Sequence, residues 1–152
     1  MFRRTVLLLM LTLSLVTSPA WARGGYFHDV STLTLSSHYL RSEAGSDGSA
    51  GAGYRHGFLG LVGLCALADL EYRFNRAALD TKLGVDVWLT YFGIRADLLI
   101  RQYVHDERTR VGASIGGEYI YSRSTIVYAG ANILPGDVTE GVVGLSWMLE
   151  TL

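Results

Sequence analysis

From Leu79 to Tyr103 the chain reads LDTKLGVDVWLTYFGIRADLLIRQY, and its side chains alternate in kind. Leu79, Thr81, Leu83, Val85, Val87, Leu89 and Tyr91 fall on one parity. Asp80, Lys82, Gly84, Asp86, Trp88 and Thr90 fall on the other. After Phe92 and Gly93 the alternation resumes, with Ile94, Ala96, Leu98 and Ile100 set against Arg95, Asp97, Leu99 and Arg101. A period of two is that of an extended strand, whose successive side chains point to opposite faces. The polar face here carries charges of both signs, as if its members were to meet one another and not water.

The same period recurs in eight stretches, at about 30–40, 51–61, 64–74, 79–91, 94–104, 109–121, 125–133 and 139–150. They run from 9 to 13 residues. Strands of soluble proteins average about 5 to 6 residues, whereas a tilted strand that crosses a bilayer needs about 9 to 11. The second, fourth and sixth connections read as tight turns, around Val62-Gly63, Phe92-Gly93 and Ser122-Arg123-Ser124. The first, third, fifth and seventh read as longer, at RSEAGSDGSA, NRAAL, HDER and LPGDV. Short turns at one end and longer loops at the other is the layout of bacterial outer-membrane barrels. The expected fold is therefore all-β: an eight-stranded antiparallel up-and-down transmembrane β-barrel, with both termini at the short-turn end.

The hairpins predict register. A two-residue turn at Phe92-Gly93 sets Tyr91 against Ile94, Leu89 against Ala96, Val87 against Leu98 and Val85 against Ile100, because paired residues share a face. A three-residue turn at 122–124 sets Tyr121 against Thr125, Tyr119 against Val127 and Ile115 against Ala131. It also sets Glu118 against Tyr128 and Ser114 against Asn132. In both hairpins like meets like.

Over all strands the polar face collects Asp69, Glu71, Arg73, Lys82, Asp86, Arg95, Asp97, Arg101, Arg110, Glu118 and Glu140, five basic and six acidic. Buried alone, such charges would be costly; interleaved, they satisfy one another. An eight-stranded barrel has an interior just wide enough for side chains to fill. The expectation is thus a lumen plugged by a structural salt-bridge network, which is the better reading of Asp86, Arg95, Asp97 and Arg101 than an acid–base site. The apolar face, with Leu33, Leu35, Leu64, Leu70, Val85, Val87, Leu98, Ile100, Ile115, Val127, Val143 and Leu145 among its members, holds no charge at its middle. That matters because a basic residue at the bilayer midplane costs about 2–4 kcal/mol. Tyr39, Tyr72, Phe74, Tyr91, Tyr119, Tyr121 and Trp147 fall near strand ends, where an aromatic girdle meets the two interfaces. Alternation alone does not say which face is inside. A soluble sandwich or barrel with the apolar face inward is the competing fold.

Residues 1–22 read as a signal peptide: Arg3 and Arg4, then the apolar run TVLLLMLTLSLV, then Ala20-Trp21-Ala22 with the cut after Ala22. The run is too short to span a bilayer. Residues 23–152 would form the barrel. Cys65, the single cysteine, falls on the lumen face as packing and offers no internal disulfide to an exported chain. The net charge of −1 gives no reason to expect nucleic acid.

With VVGLSWML as its last strand, the chain resembles the small eight-stranded bacterial outer-membrane proteins of the OmpX, Ail, NspA and OmpA-barrel type. The likeness is architectural and covers residues 23–152. Gly144, Trp147 and Leu149 match the C-terminal signal read by the barrel-assembly machinery. Val142 departs from it, as does the end in Glu150-Thr151-Leu152. The resemblance implies residence in the bacterial outer membrane, contact with outer-membrane lipid and lipopolysaccharide, and the assembly machinery as partner during biogenesis.

Some barrels of this size act on lipid A. The late His-x-Ser strand motif of the PagL-type deacylase is absent, since no histidine follows His105. A PagP-type rim site would draw on His38, Ser36 or Ser37, and Asp47, with His28 and His56 as the other imidazoles. His105-Asp106-Glu107 reads as a solvated turn, and the Gly/Ser run near Gly48 as a flexible loop. The sequence therefore points to a non-enzymatic barrel without cofactor or metal, in a structural or surface-interaction role through its loops, 42–52 foremost. The alternatives are a lipid A or phospholipid-modifying enzyme, a narrow pore, and a soluble periplasmic barrel.

Overall fold

In the computed structural model the described residues are 29–58, 62–106, 108–136 and 138–149. The proposed signal peptide and its cleavage site lie outside them. Eight antiparallel strands form one closed barrel: β1 (Asp29–Ser42), β2 (Gly45–Phe58), β3 (Val62–Arg73), β4 (Ala78–Leu89), β5 (Phe92–Tyr103), β6 (Thr109–Ser122), β7 (Thr125–Leu134) and β8 (Val138–Leu149). Each strand pairs with its neighbours in sequence, and β1 closes on β8 from Leu33↔Leu149 to Arg41↔Gly141. Closure leaves no unpaired edge.

The two faces resolve as the alternation demands. Along β4 and β5 every charged residue from Asp80 to Arg101 is buried inside. Val85, Val87, Leu98 and Ile94 point out, the first three close to half exposed and Ile94 65%. This is the reverse of a soluble protein. The interior is polar and the exterior apolar, so the soluble barrel with an apolar core is not the fold formed.

Five local expectations fail. The first connection is not a long loop. Ser42 pairs with Gly45 across a tight turn at Glu43 and Ala44, and residues 46–50 continue β2. The Gly/Ser composition that reads as flexible belongs here to both faces of a strand held by β1 and β3, with Gly48 and Ala50 pointing outward and Ser49 and Gly51 inward. With it goes the loop asymmetry. The odd connections, at 43–44, 74–77, 104–108 and 135–137, are barely longer than the even ones at 59–61, 90–91 and 123–124. Third, the β4–β5 turn is Thr90 and Tyr91, with Leu89↔Phe92, Val87↔Ile94 and Val85↔Ala96. Thr90 takes the positive φ of 61° that the turn needs. Gly93 serves packing instead. A Cβ there would sit 2.9 Å from the Trp88 ring, directly opposite in the register. The shift is by an even number of residues, so the faces stay as predicted while every partner changes.

The β6–β7 register agrees with expectation over Ile115↔Ala131, Glu118↔Tyr128 and Tyr119↔Val127. It then slips by one at Ser122↔Thr125, which leaves Tyr121 in a bulge and the turn at Arg123 and Ser124. Val62 and Gly63 belong to β3, and the second connection falls at 59–61.

Candidate functional site

The interior is the one concentration of chemistry in the described residues, and it is layered along the barrel axis. At the end of the odd connections the hub is Glu140 on β8. It accepts from Arg73 Nη1 (2.8 Å), Arg76 Nη1 (3.0 Å) and Arg101 Nη2 (2.9 Å), drawn from β3, the 74–77 connection and β5. Arg101 also makes a two-pronged bond to Asp80, at 2.6 and 2.7 Å. Arg73 turns its Nε to Asp47 at 3.1 Å. The other oxygen of Asp47 accepts the backbone N–H groups of Gly48 and Asn75, both at 2.8 Å, which ties the connection down onto β2.

In the middle layer Glu71 accepts from Lys82 Nζ at 2.8 Å and from Ser49 at 3.1 Å, with His38 Nδ1 3.2 Å away. Arg95 binds Asp97 at 2.7 Å, makes a short contact to Asp69, and lies 3.6 Å from Glu118. Arg55 links Asp86 (2.6 Å) to Glu118 (2.9 Å) and rests on the Trp88 ring at 5.4 Å. Below it, at the end of the even turns, Cys65, Trp88, Ile120, Ile126 and Met148 form a buried apolar cluster.

Eight buried carboxylates face five buried cations: Arg55, Arg73, Lys82, Arg95 and Arg101. One-to-one pairing is therefore impossible, and four of the five cations are arginines. A guanidinium presents five N–H donors in a planar fork, so one side chain can bridge two carboxylates. Long side chains need room, and glycines on the inner wall supply it. At Gly144 a Cβ would lie 2.1 Å from the His38 ring.

The structure brings Asp69, Glu71, Arg73, Lys82, Asp86, Arg95, Asp97, Arg101, Glu118 and Glu140 together inside. Arg110 shares their face but stands at the rim, half-buried, with its guanidinium 5.8 Å from the centre of the Tyr103 ring. Its register partner is Arg101, a like charge. Sequence reasoning missed Arg55, Asp47, Asp80 and His38 as members of the network. Parity with Tyr54 and His56 outside could have found Arg55; Asp47 was hidden in a stretch with loop composition.

Of the residues expected to form a girdle, Tyr39, Tyr72 and Phe74 are exposed outside near one end, and Tyr91, Tyr119 and Tyr121 near the other, with Trp147 half-exposed there. Tyr54 and Phe92 join them, Phe92 lying 4.9 Å from Tyr119 between ring centres. The residues of a rim acyltransferase site do not gather at an accessible surface. His38 and Asp47 are buried inside, and His56 faces outward near the opposite end, stacked on Tyr54. His105 is exposed in the 104–108 connection; His28 lies outside the described residues. Among the described residues no three His, Cys, Asp or Glu side chains are grouped to hold a metal ion.

No family model and no curated protein sequence matches this chain. Solved structures do. A designed transmembrane β-barrel superposes with a TM-score of 0.58 at 13% identity, covering 78% of this chain and 95% of its own. A second design, TMB2.3, gives 0.58 at 14% over 86% and 100%. Neisserial surface protein A (NspA) gives 0.51 at 11% over 84% and 100%. At these identities the likeness is one of fold, and the fold is that of the eight-stranded transmembrane barrels.

Proposed function

We propose that this protein is a non-enzymatic integral protein of the bacterial outer membrane, exported with cleavage after Ala22 and inserted by the barrel-assembly machinery. Its lumen is a plug, and its role is structural or one of surface interaction. The observation that carries the reading is the inversion of polarity. Leucine, valine and isoleucine stand about half exposed along the outer wall, while thirteen charged side chains, eight acidic and five basic, are buried inside. In water that arrangement would forfeit the hydrophobic driving force; in a bilayer the outer wall meets acyl chains and the strands satisfy their own backbone groups. With every connection short, interaction with other molecules falls to the rims and the outer wall.

Expression of the full chain, fractionation, and SDS gels of unheated and heated samples test this. The expected result is outer-membrane recovery and a faster-migrating unheated band. A soluble periplasmic protein without a mobility shift would overturn it. Lipid A mass spectra of cells with and without the protein should be identical; a new acylation state would restore the lipid-modifying alternative.

A further inference from the structure

The outer wall is not uniform. At the end of the odd connections, strands β7, β8 and β1 carry two neighbouring cross-strand rows. One is Ala131, Gly141 and Arg41; the other is Ala129, Val143 and Tyr39. Together they form a groove of about 300 Å³ open to the outside. Its floor is Ala129 and Gly141, its wall Tyr39 and Val143, and its head Arg41. Barrel packing does not require glycine at 141. A Cβ there would meet only the Arg41 carbonyl oxygen, at 3.8 Å, whereas inner-wall glycines such as Gly144 are boxed in. Arg41 is exposed, and among the described residues its side chain has no ion pair and no hydrogen bond. It stands two residues beyond Tyr39 along β1, about 6–7 Å nearer the rim. A cation at headgroup depth above an apolar trough at acyl-chain depth is the shape of one lipid molecule. A groove of similar size between β4 and β6 also holds an arginine, Arg108, but Gln102 and Thr109 interrupt its apolar lining of Leu79, Tyr103 and Val104.

We infer that this groove is a binding site for a single anionic phospholipid, its phosphate on Arg41 and one acyl chain laid over Gly141 and Ala129. The site rests on the lipid-facing reading of the outer wall. Charge complementarity selects the headgroup: a net-negative phosphate ester gains from Arg41, whereas a zwitterionic headgroup carries its own cation.

The test is native mass spectrometry of the full barrel refolded in detergent, offered equal amounts of phosphatidylglycerol and phosphatidylcholine. The wild type should retain phosphatidylglycerol over phosphatidylcholine by about fivefold, the weight of one basic side chain at an anionic lipid surface. R41Q should bring the ratio to about one, and G141L should abolish retention of both lipids by filling the trough. A129L fills it from β7 should G141L not fold. R123Q, at the opposite rim, should behave as wild type. A wild-type ratio near one, equal losses in R41Q and R123Q, or unchanged retention in the trough-filling variant would overturn the site. A heat-dependent gel shift run on each sample separates the two readings. Barrels that shift but show no preference sink the site alone; a chain that neither shifts nor enters micelles sinks the membrane reading and the site with it.

Discussion

Glu140 holds three guanidinium groups that repel one another, so its charge cannot be removed without cost elsewhere. Arg73 and Arg101 are completely buried and have no water to turn to. Breaking a buried pair from one side leaves an uncompensated charge and costs about 3–5 kcal/mol. Glu140→Gln keeps the shape and loses the charge. We expect it to lower stability by that order, read as a drop in the urea midpoint and in the temperature at which the fast-migrating band is lost. Arg110→Gln is the contrasting case. Its guanidinium sits at the rim over Tyr103 and joins no ion pair among the described residues. Its loss should cost no more than about 1 kcal/mol, the range for exposed charges. Equal effects of the two substitutions would mean that the interior pairs do not hold the barrel.

Hairpin β4–β5 shows what a strand pattern does and does not specify. Alternation of large apolar and charged residues fixed which side chains face inward, because a strand has only two faces. It could not fix the partner, because any even slip preserves the faces. That choice falls to the Trp88 indole, which needs an opposite residue without a side chain and finds it in Gly93. The first part of strand β2, which the sequence assigns to a loop, was illegible for a different reason. Its outward residues Gly48, Ala50 and Ala52 are too small to mark a face, and Ser46, Asp47 and Gly48 are turn-forming types. Only pairing with β1 and β3 makes it a strand, and so Asp47 entered the interior unannounced. The β6–β7 hairpin was legible nearly to its tip because its two apolar sets are large. Register is open to a direct check. In a Cys65→Ala background, a cysteine pair at Val87 and Ile94 should form a disulfide on oxidation. A pair at Val87 and Leu98 should not, since Leu98 lies four residues, about 13 Å, further along the strand, beyond disulfide reach. The reverse outcome would restore the turn at Phe92-Gly93. Gly93→Val should cost about 1–3 kcal/mol by overpacking against Trp88, visible as a lower urea midpoint with the indole emission shifted.

For the molecule as a whole, the plugged lumen proposed above amounts to two closures in series. At one end Glu140 draws arginines from β3, β5 and the 74–77 connection across the lumen. At the other, Trp88, Ile120, Ile126 and Met148 fill the bore with apolar volume. The first closure has fixed charges of both signs, so it favours neither cations nor anions. The second offers an ion nothing to replace its hydration shell, the condition under which hydrophobic constrictions stay dry. Either alone would stop conduction. In planar bilayers the wild type should therefore give no unitary current steps at any polarity, and Trp88→Ala should give none either, because the arginine layer is untouched by it. Removing the hub of the first closure as well, with Trp88→Ala combined with Glu140→Ala, takes the shared carboxylate from Arg73, Arg76 and Arg101 at one mouth and opens the apolar layer at the other. This is the variant in which anion-selective steps are expected, provided the gel shift shows that it still folds. Regular steps from the wild type would mean that the ion pairs open readily, and that the charged interior is a path and not a strut.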